Sequence, residues 1–471
     1  MDIALFITVL LAGFYLAWNI GANDVANAMG TSVGSGALTL RKAVLVAAVL
    51  EFCGAFFFGS HVSKTMQSGI INIDLFANQP LTLVCGMLSA LLSAGIWLQI
   101  ASYFGWPVST THSIVGAIIG FGLAVGGAEA VYWGEVGFIA TSWILSPILG
   151  GIIAYNLFNL IRNKIFYTLD PVAATRRWIP ILTFFVFFIL TIVIIFEGLD
   201  NIDLHLSLFE RLLWTFLIAL LASLISRVAV NRISSSPRSQ TETVYNPDMI
   251  NSLEKVQKHL GKVQSQTKGE VQYNVSLLME EVDSLSRQMN QKVEFDSSHS
   301  EYEKVEKAFS YLQIITACMM AFAHGANDVA NAIGPLSVAI AVLTTGTIAA
   351  AAPIPTWALA LGGTGIVIGL ATWGWRVIET IGTKITELTP SRGFAAEFGA
   401  ATTIVMASRL GLPISTTHTL VGAVLGIGFA RGLGAVNLTT TRDIAISWVV
   451  TVPLGALCAI LIYYPLTMIF G

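Results

Sequence analysis

Gly21-Ala-Asn-Asp-Val-Ala-Asn-Ala28 and Gly325-Ala-Asn-Asp-Val-Ala-Asn-Ala332 are the same eight residues, with each position of the second copy 304 after its equivalent in the first. Each copy overlaps an apolar run of about 20 residues, long enough to cross a ~30 Å hydrocarbon core as a helix. A charge at the bilayer centre costs several kcal/mol, so a carboxylate set twice into such a run (Asp24, Asp328) has a functional reason to be there. A second motif, Pro107-Val-Ser-Thr-Thr-His112, returns as Pro413-Ile-Ser-Thr-Thr-His418 at a distance of 306. Fainter echoes keep the register, among them Gly59 and Val62 with Gly374 and Val377, and Ser142-Trp143 with Ser447-Trp448. The chain is therefore an internal repeat.

Composition agrees with a membrane protein: 55% of the 471 residues are hydrophobic and 11% charged, about half the charged share of a soluble domain. Of the 53 charged side chains, 22 lie between Asn231 and Lys307. The rest of the chain predicts about twelve spans, near 3–22, 43–62, 81–103, 108–127, 137–160, 179–197, 207–230, 309–330, 355–375, 394–410, 414–431 and 444–466. Five spans match on either side of an unmatched pair, giving a first repeat over 1–160, two linking spans over 161–230, a polar insert over 231–307 and a second repeat over 308–471. Seven crossings separate the two Asp motifs, and an odd number inverts the second copy. The expected fold is thus all-α, with two inverted-topology repeats and broken or re-entrant helices, the architecture of a secondary transporter that alternates access to a midplane site. Short loops carrying Arg41/Lys42, Arg162/Lys164/Arg176/Arg177, Arg227/Arg232/Arg238, Arg376/Lys384/Arg392 and Arg431/Arg442 fall on one side. With that side cytoplasmic, the insert is cytoplasmic and both termini lie outside.

A net charge of −3 gives no basic face for nucleic acid, and none is expected as a partner. The four cysteines lie in apolar stretches without metal-ligand spacing. In the insert, Val271, Val275, Leu278, Val282, Leu285 and Met289 are spaced 4, 3, 4, 3, 4, a heptad stripe; Leu253, Val256, Leu260 and Val263 form a shorter one. A helical hairpin, or a coiled coil between protomers, would bury both.

The Asp motifs carry two carboxamides each, Asn23 and Asn27, Asn327 and Asn331. Gly, Asn and Asp are poor helix formers, which predicts that both spans break at the motif and offer an oxygen-rich shell to a small cation such as Na⁺. Three consecutive hydroxyls behind a proline, Ser109/Thr110/Thr111 and Ser415/Thr416/Thr417, place free N–H and O–H donors at a helix start, where an oxyanion binds without a formal positive charge. Neither motif contains Lys or Arg, so a bound anion needs co-bound cations. Glu51 and Glu397, also in or beside apolar runs, are candidate cation ligands or proton carriers. His324 precedes the second motif where the first has Ile20, and is a weak candidate for any symmetric role. No paired acid and nucleophile supports an enzyme acting on phosphate esters.

At these residues the chain resembles the inorganic phosphate transporter (PiT) family, whose duplicated signature is Gly-Ala-Asn-Asp-Val-Ala-Asn with a following Pro-x-Ser-Thr/Gly-Thr-His segment. The resemblance covers nearly everything outside the insert. It implies twelve spans in an inverted repeat, often as a homodimer in the lipid bilayer, binding one phosphate together with sodium ions, or protons in some members. It assigns Asn23, Asp24, Asn327, Asp328, Glu51 and Glu397 to cations, and Asn27, Asn331 and the two hydroxyl triplets to phosphate. Where many members have an acid in span 3 opposite Glu397, this chain has Met87. The expectation is a multi-pass importer of the cytoplasmic membrane that moves phosphate by sodium symport, with no enzymatic activity and no cofactor beyond the co-transported ion. A proton-coupled phosphate or sulfate permease of the same fold is the alternative.

Overall fold

The structure, a computed structural model, describes residues 3–198, 206–232, 247–266, 270–293, 298–348, 354–375, 377–378, 388–432 and 438–470. Arg238, Arg376 and Lys384, used above for orientation, lie outside the described residues. The fold is all-helical. The first half comprises α1 (Ile3–Gly34), α2 (Leu40–Phe58), α3 (Ser60–Ser68), α4 (Pro80–Phe104), α5 (Thr110–Gly126) and α6 (Trp133–Ile161). The linking pair is α7 (Pro171–Val193) and α8 (Leu208–Asn231), and the insert holds α9 (Pro247–Gln266) and α10 (Glu270–Val293). The second half comprises α11 (Ser298–Thr345), α12 (Thr356–Thr372), α13 (Pro390–Arg409), α14 (Thr416–Arg431) and α15 (Leu438–Phe470).

Every one of the twelve expected segments falls on helix. Among the described residues, seven helices are long and apolar enough to cross a membrane, or eight with α2 and α3 taken together; α5 and α12 are shorter apolar helices. The chain is a multi-pass membrane protein. Its exposed large side chains, such as Ile144, Leu149, Ile225 and Leu461, suit contact with lipid, since no water need be displaced there.

The breaks are not where helix propensity places them. α1 and α11 run without interruption through both Asp motifs. A propensity deficit of up to about 1 kcal/mol per residue is small beside tertiary packing, and the glycines here serve close approach instead. A Cβ on Gly21 would stand 1.9 Å from the carbonyl oxygen of Ile366 on α12, and one on Gly325 would stand 2.2 Å from that of Glu51 on α2. The sharp bend, 62°, lies between α2 and α3, at Gly59.

These two contacts are one contact seen twice with the halves exchanged. The same holds for α1 on α4 and α11 on α13, and for α5 on α15 and α14 on α6. Each half thus supplies helices to the other's packing, and the motif-bearing segments meet in the interior. In the insert, α9 and α10 pack on each other as a helical hairpin, with Gln257 donating to Asp283 at 3.2 Å and Gln264 to Ser276 at 2.9 Å.

Candidate functional site

The hydroxyl triplets start α5 and α14. Ser109 Oγ accepts from the backbone N–H of His112 (3.1 Å) and Ser415 Oγ from that of His418 (3.2 Å), so the two serines act as N-caps and the threonines occupy the first helical turn. The turns before them are held by the first asparagine of each motif. Asn23 Nδ2 donates to Ser102 Oγ (3.0 Å) and to the Trp106 carbonyl (3.1 Å), while Asn327 Nδ2 donates to Ser408 Oγ (2.9 Å) and the Leu412 carbonyl (3.3 Å).

The second asparagines reach across the repeat. Asn27 Nδ2 donates to Thr417 Oγ1 at 2.8 Å and to Asp24 Oδ1 at 3.2 Å. Asn331 Nδ2 donates to Thr110 and Thr111 Oγ1, both at 3.2 Å. Thr416 Oγ1 donates to Asp328 Oδ2 at 2.7 Å, and Thr417 Oγ1 lies 3.4 Å from Asp24 Oδ1. Both Asp motifs and both triplets therefore surround a single locus, and every one of these side chains is at most 3% exposed.

Glu51 joins them through His324. The imidazole stands 3.0 Å (Nε2) from Asp328 Oδ2, 3.4 Å (Nδ1) from Glu51 Oε1 and 3.9 Å (Nε2) from Asp24 Oδ2. Asp24, His324 and Asp328 offer ligand atoms all within 4.8 Å of one another. Four buried oxygens of the two Asp motifs, Asn23 Oδ1, Asp24 Oδ2, Asn327 Oδ1 and Asp328 Oδ1, have no hydrogen-bond donor among the described residues. Each half thus presents one carboxylate and one carboxamide oxygen without a donor. Uncompensated buried oxygens of this kind call for a cation.

Glu397 is not brought into this cluster. Its Oε1 accepts from Thr31 Oγ1 (2.5 Å), Ser32 Oγ (2.6 Å) and Gln313 Nε2 (3.2 Å), and its Oε2 from Thr316 Oγ1 (2.8 Å). Thr31 is seven residues beyond Asp24 on α1, about 10 Å along the helix. At the offset of 306 that relates Ser102 to Ser408, the counterpart of Glu397 is the buried Leu91 rather than Met87, and at the offset of 304 its surroundings change as well. Gln313 and Thr316 correspond to Val9 and Ala12, and Thr31 and Ser32 to Pro335 and Leu336. A polar pocket exists in one half and an apolar one in the other.

A model of the phosphate transporter family matches residues 20–459. The chain belongs to that family. It is 46% identical over 465 residues to the chloroplastic inorganic phosphate transporter 2-1 of Arabidopsis thaliana, covering 98% of this chain and 72% of that one. It is 46% identical over 467 residues to a putative phosphate permease of Chlamydia pneumoniae, covering 99% of each. Among solved structures, a sodium-dependent phosphate transporter superposes with a TM-score of 0.80 at 39% identity, covering 99% of this chain and 100% of that one. The family is one of transporters, and the reading of the chain as a transporter rather than an enzyme stands.

Sequence reasoning underrated His324, because Ile20 in the first copy argued against a symmetric role. A usable signal was present: positions 324 and 328 are four apart on one helix and so share a face. The other two singled-out histidines pack. The rings of His112 and His418 lie 4.3 Å apart, with Trp143 at 3.8 Å from the first and Trp448 at 3.7 Å from the second.

Proposed function

We propose that this member of the phosphate transporter family imports inorganic phosphate by symport with sodium ions, through alternating access of inverted repeats to the locus between the two Asp motifs. The observation that carries the reading is the crossed arrangement: Asn27 with Thr416 and Thr417, Asn331 with Thr110 and Thr111, around Asp24 and Asp328.

In this reading, the hydroxyls of Ser109, Thr110, Thr111, Ser415, Thr416 and Thr417 and the amides of Asn27 and Asn331 receive the phosphate oxygens. Asp24, Asp328, Asn23, Asn327 and Glu51 hold the cations. The charge balance makes coupling obligatory. Three buried carboxylates stand against one imidazole, and no Lys or Arg is among the described contacts of the site. A phosphate arriving alone would add negative charge to a buried acidic cluster, where each unpaired ion costs several kcal/mol. Sodium ions at the donor-free oxygens convert that repulsion into attraction, so anion and cation bind each other's occupied form. The structural relative is a sodium-dependent transporter, which supports sodium over protons.

A hydrogen phosphate keeps a P–OH donor that sulfate lacks, and a carboxylate oxygen in the site rewards that donor. We place the protein in the cytoplasmic membrane as a homodimer, termini outside and the insert inside. The test is uptake of labelled phosphate into proteoliposomes with sodium and pH gradients imposed separately and with sulfate as competitor. Uptake driven by a sodium gradient and unaffected by sulfate is the expected result; uptake that follows only the pH gradient, or sulfate competition at equal concentration, would overturn the assignment.

A further inference from the structure

A cleft of about 820 Å³ opens between α7, α8 and α11. Its α11 wall ends at Ile315, nine residues short of His324, so it lies apart from the site above. Phe187, Ile218, Leu221 and Ile315 make its walls apolar, and Arg232, Lys304 and Lys307 line one end. From Ile218 to Arg232 is 14 residues of α8, about 21 Å at 1.5 Å per residue. One leaflet contributes about 15 Å of hydrocarbon, with the headgroup zone beyond it. The cleft therefore runs the depth of one leaflet and ends in cations at the membrane surface.

The polar groups along it ask nothing of an occupant. Thr183 Oγ1 donates to the Ile179 carbonyl and Ser226 Oγ to that of Ser223, both at 2.8 Å. Glu306, which neighbours the basic end on α11, is turned to the backbone N–H and hydroxyl of Ser391, both at 2.8 Å.

We infer that this cleft seats an acyl chain of an anionic phospholipid, with the lipid phosphate held by Arg232, Lys304 and Lys307. Charge complementarity selects the headgroup, since basic pockets between spans attract anionic lipids. It also disfavours a second copy of the chain: a twofold interface on this face would set two basic ends at the same membrane depth against each other. The lipid ties the linking pair α7–α8, which has no counterpart in the repeat, to the helix that carries Asp328.

The full-length protein, purified and offered phosphatidylglycerol or phosphatidylcholine with identical acyl chains, tests this by native mass spectrometry. Retention of phosphatidylglycerol over phosphatidylcholine is expected. Arg232→Gln with Lys307→Gln should weaken it about fivefold per charge, the ~1 kcal/mol of a basic side chain near an anionic surface. Ala222→Trp, which fills the cleft and keeps the charges, should displace both lipids, and phosphate binding should persist in both variants. Equal retention of the two lipids by the wild type, phosphatidylglycerol retention unchanged in both variants, or a dimer cross-linked through this face would overturn it.

Discussion

Thr416→Val and Thr110→Val probe the crossed site with least disturbance, because valine keeps the volume of threonine and removes only the hydroxyl. Thr416 Oγ1 is buried and donates to Asp328 Oδ2 at 2.7 Å, and the buried Thr110 Oγ1 accepts from Asn331 Nδ2 at 3.2 Å. A hydrogen bond to a charged group contributes about 1.5–3 kcal/mol. On binding phosphate Thr416 exchanges one charged acceptor for another, so its net loss in phosphate affinity belongs at the low end, about 1.5 kcal/mol or roughly tenfold, and Thr110→Val should lose at least as much. The carboxylate left with one fewer donor costs stability too, about 1–3 kcal/mol, and saturating sodium should restore much of it.

The assay is phosphate binding by calorimetry at saturating sodium, with a melting curve taken with and without sodium. Thr419→Val is the control. That hydroxyl is equally buried one turn further along α14, but donates only to the Ser415 carbonyl at 2.8 Å, so phosphate affinity should not move. The double variant Thr110→Val/Thr416→Val should lose less or more than the sum of the two, since both contact one ligand. Wild-type affinity in either single variant would refute a shared site, as would simple additivity with damage confined to one half.

Asp24→Asn and Asp328→Asn should each weaken phosphate uptake and its sodium dependence together; normal uptake with an unchanged sodium curve would remove both residues from the cation site. Glu397→Gln replaces an acceptor of four donors with an amide that can accept only through one atom, so a lowered melting temperature and slowed uptake are expected, with equilibrium phosphate binding at saturating sodium retained. Replacing 240–300 by a short flexible linker should leave phosphate binding intact, and its abolition in a correctly folded protein would show that the insert takes part in the site.

The helical spans and the central residues were legible because their signal is a contrast. Asp24, Asn27, Asp328 and Asn331 are polar groups inside apolar runs, repeated at one offset, and no packing argument produces that twice. Helix continuity through those motifs was not legible: Gly21 and Gly325 look like breakers until the carbonyls of Ile366 and Glu51 are seen against them. The isolation of Glu397 was partly readable. Gln313, Thr316, Thr31 and Ser32 all lose their polarity at the matching positions Val9, Ala12, Pro335 and Leu336, which marks a pocket belonging to one half.

That asymmetry bears on how the proposed inverted repeat would do directional work. Two identical halves exchanging roles would make the outward-open and inward-open states equal in energy, and a ligand held symmetrically would favour neither. Here the hydroxyl triplets and Asp motifs are matched, while three ionisable residues are not. Glu51 corresponds to Ile366, His324 to Ile20 and Glu397 to Leu91, the first following from the reciprocal glycine contacts and the last from the paired Asn23–Ser102 and Asn327–Ser408 hydrogen bonds. All three unmatched residues are fully buried, so a change in the charge of any of them would act through a low dielectric, where small differences in position are energetically large. In the proposed cycle the symmetric residues would thus hold the phosphate in either state, and the unmatched ones would supply the differential affinity by which ions bias the exchange between them.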